Sequence, residues 1–112
     1  MKVIIAFVQP SLTEKIAEAL AGIGIVGATA TNSKEFGPDG GHSVNYRGVD
    51  FELPYNVETQ LEIITHDDRV NDAVELIESI TRQNNAPEAK IIIKNMDNSI
   101  RIRDGGHGDD IL

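Results

Sequence analysis

This sequence predicts an α+β domain with the element order βαββαβ, four strands in one antiparallel sheet and two helices on a single face of it. Three observations carry the prediction. Leu12, Ile16, Leu20 and Ile23 recur at helical spacing, as do Val70, Ala73, Val74, Ile77 and Ile80. Each of these stripes is flanked on both sides by a run with strand character. The one long connection, Glu35 to Asn56, carries Gly37, Gly40, Gly41 and Gly48 with Pro38 and Pro54, so it divides the chain between two strands and cannot itself be a helix or a central strand.

The elements follow in order. Val3 to Val8 is continuously apolar and rich in β-branched residues, as suits a strand central in its sheet. Gln9-Pro10 stops it, and Ser11 with Glu14 three residues on has the spacing of a capping box. The first helix then turns Glu14, Lys15 and Glu18 to water, and Gly22, Gly24 and Gly27 bracket its end. Ala28 to Lys34 alternates Thr29, Thr31 and Ser33 with small or polar residues and reads as the second strand. Val57 to Thr65 alternates with period two. His66-Asp67-Asp68 offers a capping carboxylate and negative charge to the second helix. A polar connection over Arg82 to Ala89 leads to the last strand, Lys90 to Lys94, and a tail over 97–112. This is the split-βαβ, ferredoxin-like order, a single domain over residues 1–112. Ile and Val at both strand parities leave the helix-free face apolar, so other subunits are expected to cover it.

Composition bounds the function. The 112 residues suffice for one core, and 40% apolar with 25% charged residues is the balance of a globular protein. The net charge of −8 argues against nucleic acid as a partner, because phosphate binding needs a basic face. No apolar run approaches the roughly 20 residues of a membrane span and no leader opens the chain, so a cytoplasmic protein without membrane insertion is expected. The absence of cysteine excludes disulfides and thiolate metal sites.

Two sets of residues stand out. A connection as long as Glu35 to Asn56 is either a floppy tip or a working part. It holds Tyr46, Arg47, Phe51 and Tyr55 in a chain with two Tyr, three Phe and no Trp. Such side chains anchor interfaces, so Tyr46, Arg47 and Phe51 are expected to bind a partner. The second set is Lys90, Arg101 and Arg103. With the two Arg at i and i+2 of an extended segment, three cations converge on an anion, although solvation is the plainer fate of Lys and Arg. The histidines, His42, His66 and His107, are scattered and more simply surface or capping residues than ligands. Gly105-Gly106 and Gly108 precede no helix and make no dinucleotide fingerprint. Asp109-Asp110 reads as a solvated tail, and no catalytic Ser, His and Asp grouping shows in the spacing.

The whole chain resembles the PII signal-transduction proteins. The resemblance rests on Glu18 to Ile25 with Gly27 and Thr29, Phe36-Gly37, Gly41-His42, Tyr46-Arg47-Gly48, Glu62-Ile63-Ile64 with Asp67-Asp68, and Arg101-Ile102-Arg103 with Gly105. It implies a homotrimer and a signalling regulator that is not an enzyme. It also implies a T-loop, here about 37–55, that docks onto a target such as a membrane transporter or an enzyme of nitrogen or carbon metabolism. It implies ATP or ADP between subunits, with AMP a further candidate ligand of a divergent member. By position the nucleotide contacts fall on Thr29 and Ile64, on Gly37 and Pro38 at the T-loop base, and on Pro87, Glu88, Ala89 and Lys90 of a B-loop at about 82–90. Arg101 and Arg103 complete the set, and Asp39 is placed to hold Mg²⁺ with the nucleotide.

Departures from the family pattern shape the expectation. Val49 and Phe51 carry no hydroxyl where relatives are phosphorylated or uridylylated, so covalent control there is expected to be absent. Gln83-Asn84-Asn85-Ala86-Pro87-Glu88-Ala89-Lys90 retains none of the glycines of the family's phosphate loop. Pro87 has no N–H, and Cβ atoms at Asn84 and Ala89 would make a left-handed backbone costly, so weakened nucleotide binding is expected. Glu58 replaces the Lys that pairs with 2-oxoglutarate and Asp39 replaces a Gln, so that dicarboxylate is expected not to bind. The fold hosts many functions. A sensor of another small ligand, or a metal-handling or enzymatic trimer, is therefore the competing reading, distinguished by stoichiometric Cu or Zn retention or by a clustered acid and base.

Overall fold

The computed structural model describes residues 1–37, 42–86 and 89–112, and of residues 42–44 the backbone alone. The chain forms β1 (Lys2–Val8), α1 (Thr13–Gly22), β2 (Thr29–Glu35), β3 (His42–Tyr46), β4 (Val49–Leu53), β5 (Asn56–Thr65), α2 (Val70–Gln83) and β6 (Lys90–Asn95). Four strands make one sheet in the order β2-β5-β1-β6, with each neighbouring pair antiparallel. This is the ferredoxin-like arrangement that the periodicity predicts.

Register decides which face each residue serves. Ile4 pairs with Ile63 and Ile93, and Ala6 with Leu61 and Ile91, so these side chains share one face. Ile4, Ala6, Val8, Leu61 and Ile63 are buried there against Ile16 and Leu20 of α1 and Ala73, Ile77 and Ile80 of α2. The opposite parity carries Val3, Ile5 and Phe7 of β1, Ile64, Glu62 and Gln60 of β5, and Ile92, Lys94 and Lys90 of β6. Ile92 is 44% exposed on this helix-free face.

Both predicted helix caps differ from what forms. Ser11 lies inside a 3₁₀ turn, Pro10–Leu12, and neither it nor the α1 N-cap position makes a side-chain capping bond. Pro10, with its preset φ, turns the chain into α1 instead. Asp67 likewise caps nothing by side chain. It takes the Met1 ammonium as its partner, a full charge that outcompetes an amide N–H.

The long connection holds structure of its own. β3 and β4 pair as a separate two-stranded antiparallel ribbon, with Tyr46 opposite Val49. Its turn is Arg47-Gly48, with φ of 52° and 78°. Two successive positive φ values are the primed turn whose twist matches a β-ribbon.

Candidate functional site

Two cavities open where β5 and its neighbours run past the core. The smaller, about 270 Å³, lies at the base of the ribbon and is lined by Phe7, Ser33, Lys34, Glu35, Phe36, Glu58 and Lys90. Sheet pairing builds it. Ser33 lies opposite Glu58, and its hydroxyl donates to the Glu58 carbonyl at 3.2 Å. Lys90 opens β6 opposite Phe7 of β1. Its ammonium donates to Glu35 at 2.9 Å, across 55 positions of sequence. Lys90 holds the Glu35 carboxyl below its ordinary pKa, with a smaller contribution from a hydrogen bond to the Glu58 side chain. Glu58 is buried, at 7% exposure. Beside the cavity the Phe36 and Tyr55 rings meet at 5.5 Å and the Lys34 ammonium lies 4.6 Å from the Tyr55 ring, clamping the ribbon's two entry strands. Gly37, with φ of 136°, occupies a backbone conformation that a side chain would strain.

The larger cavity, about 560 Å³, is lined by residues that include Gly27, Thr29, Glu62, Ile64, His66, Arg69 and Ser99. Thr29 pairs with Glu62 at the far end of β2, six residues from Glu35. At the rise of a strand that separates the two ends by roughly 20 Å. Thr29 and Ile64 therefore gather in one cavity and Lys90 in the other, and a single chain does not bring them together.

Arg101 and Arg103 line neither cavity. The expectation that they project together from an extended segment is corrected by the structure. Residues 102–104 form a turn, closed by a bridge between Ile100 and His107 and by Arg101 N–H donating to the Gly106 carbonyl at 2.7 Å. Gly105, φ 72°, allows the reversal. Arg101 Nε donates to both carboxylate oxygens of Asp104, at 3.0 and 3.1 Å, and Nη2 donates to Oδ2 at 2.7 Å. Arg101, and after it the Gly106 N–H, keep the Asp104 carboxyl below its ordinary pKa. Lys90 and Arg101 thus each have a carboxylate partner absent from the sequence-based expectation. Arg101-x-x-Asp104 was the visible signal for one. Nothing local marks Glu35 as the partner of Lys90.

Pro38, Asp39, Pro87 and Glu88 lie outside the described residues. At the approach to the B-loop the expected strain at Asn84 is also corrected. Asn84 has φ of −107°, and Asn85 takes the left-handed value, 55°. Asn is among the few residues that tolerate it, and Ala86 then tucks into the core at 1% exposure, its N–H on the Thr81 carbonyl. Ala89 is half-buried against the core. On the ribbon, Tyr46 (63%) and Phe51 (49%) are exposed, and the Arg47 guanidinium lies 5.3 Å from the Tyr46 ring. Asn45 donates across the ribbon to Asp50 at 2.9 Å.

Comparison with known proteins agrees with this architecture. The family model described as "Nitrogen regulatory protein P-II" matches residues 1–106. The Nitrogen regulatory protein P-II of Cereibacter sphaeroides is 36% identical over 112 residues, the full length of both chains. Those of Bradyrhizobium diazoefficiens and Azospirillum brasilense are 33% and 31% identical, again over both full lengths. With the sheet order, the ribbon and a match along essentially the whole chain, the protein belongs to the P-II family of nitrogen regulatory signalling proteins.

Proposed function

We propose that this protein is a trimeric, non-enzymatic regulator that reports adenine-nucleotide levels to a target protein through the ribbon between Gly37 and Tyr55. The observation that supports it most is that Thr29 and Ile64 line one cavity and Lys90 lines another, about 20 Å away along the sheet. A ligand that needs both sets is served when the Thr29 cavity of one subunit faces the Lys90 cavity of the next. The apolar part of the helix-free face, with Ile5, Phe7 and Ile92, supports assembly through this side of the sheet. Exposed Tyr46, Arg47 and Phe51 on a ribbon that is a sheet of its own suit a target contact, whether the target is a transporter or an enzyme.

Glu58 supports the further reading that 2-oxoglutarate is not an effector. Its side chain is buried beside the Glu35 carboxylate in the Lys90 cavity and offers a dicarboxylate no cation there. Mg²⁺, if it accompanies the nucleotide, falls to Asp39 on the resemblance alone.

Titration calorimetry of ATP, ADP and AMP tests the nucleotide reading, followed by 2-oxoglutarate with Mg-ATP present. Measurable nucleotide binding that is weakened by Lys90→Ala and Arg103→Ala, with no heat from 2-oxoglutarate, is the expected result. Tight 2-oxoglutarate binding would reverse the reading of Glu58.

A further inference from the structure

Two of the three cations on which nucleotide binding would depend are already engaged by carboxylates of the same chain. Lys90 donates to Glu35 at 2.9 Å, and the Glu35 side chain is only 20% exposed. Glu35 ends β2, where its backbone is paired with Asn56, so the carboxylate is held at the cavity and cannot swing away with a loop. At the tail, Asp104 receives three Arg101 N–H contacts at 2.7 to 3.1 Å and the Gly106 N–H at 3.0 Å. That is the forked geometry by which a guanidinium also holds a phosphate. Arg103 has no ion pair among the described residues.

We propose that Glu35 and Asp104 are specificity-determining residues, internal stand-ins for phosphate that make the site discriminate against polyphosphates. The inference rests on the nucleotide reading above. A phosphate oxygen that approaches Lys90 or Arg101 must displace the carboxylate or bind beside it. Displacement forfeits a charge-assisted hydrogen bond, and coexistence sets two anions against one cation. Both carboxyls are held below their ordinary pKa, so neutral pH does not relieve the competition by protonation. With Lys90 on Glu35 and Arg101 on Asp104, Arg103 is the one cation of the three left without an ion pair among the described residues. A monophosphate gains nearly as much from that as a triphosphate, so affinity depends little on phosphate number.

Calorimetry of ATP, AMP and adenosine with the full chain and with Glu35→Gln, Asp104→Asn and the double variant tests the proposal, with light scattering to confirm unchanged assembly. Each single change is expected to raise ATP affinity by about two- to fivefold, the scale of an exposed ion pair, and the double change by about tenfold. AMP should gain less and adenosine nothing, so the ratio of ATP to AMP affinity rises. ATP binding that appears only in the variants supports the proposal equally. If Lys90→Ala weakens ATP binding but Glu35→Gln leaves it unchanged or weaker, the proposal falls and the nucleotide reading stands. If Lys90→Ala and Arg103→Ala change nothing, or if neither the wild type nor any variant binds ATP, both fall. Glu35→Gln acts on the cavity alone, so it keeps the test decisive even if Asp104→Asn opens the tail turn.

Discussion

Glu35, Asp67 and Asp104 are each held below the ordinary carboxylate pKa by a cation, respectively Lys90, the Met1 ammonium and Arg101. A carboxyl whose pKa is depressed by folding stabilises the fold above its unfolded value and loses that contribution as pH falls through the folded one. The unfolded references are 4.5 for Glu35 and 3.8 for Asp67 and Asp104. The melting temperature should therefore be nearly flat from neutrality to about pH 5 and decline below it. Asp67 and Asp104 lie at the surface and Glu35 lines an open cavity, so solvent screens these pairs and the slope is shallow. Glu35→Gln should make it shallower still, as differential scanning fluorimetry across pH 3 to 7 would show. A variant whose acid slope matches the wild type would mean that the Lys90 pair contributes nothing to stability.

At the scale of elements, the ribbon is separable from the core. Its residues Asn45 to Glu52 are exposed, and β3 and β4 pair only with each other. Deleting Ser43 to Glu52 should leave the melting temperature almost unchanged and abolish capture of the target protein, whereas an unfolded deletion variant would make the ribbon structural. Its turn depends on Gly48, where a Cβ has open space but φ is 78°. Gly48→Val should then cost about 1 kcal/mol or more of ribbon stability through backbone strain alone. Faster amide exchange at Tyr46 and Val49, with exchange in β1 and β5 unchanged, is the expected signature. This ribbon was partly legible: Arg47-Gly48 between Tyr46 and Val49 is a two-residue hairpin signal. The three other glycines and two prolines of the connection obscured it, because they also fit an unstructured tip.

For the molecule as a whole, the apolar helix-free face is the feature that a single chain leaves unresolved. Ile5 of β1 pairs with Ile92 of β6 on that face. A homotrimer is expected by light scattering at micromolar concentration, and Ile92→Glu should shift it toward monomer by placing a charge in a dry interface. A monomeric wild type would overturn both the assembly and the shared nucleotide site.

Periodicity alone determined most of this protein. Ile16, Leu20 and Ile77 follow the 3.6-residue repeat and Leu61 and Ile63 the two-residue one, so they were identifiable as core, and the βαββαβ order followed. The motifs along the chain were enough to point to the P-II family. Hydrogen-bond partners obey no such period. Whether Ser11 and Asp67 capped their helices depended on what competed for them, a preset Pro10 in one case and a distant ammonium in the other. Only the tertiary structure set Glu35 against Lys90, because strand register joins residues that are far apart in sequence. Arg101 and Asp104 stood close enough in sequence to pair, but the reversal at Gly105 in place of an extended strand decided that they did. Electrostatic partnership is a matter of a few ångströms, and that is a distance that spacing along a chain does not encode.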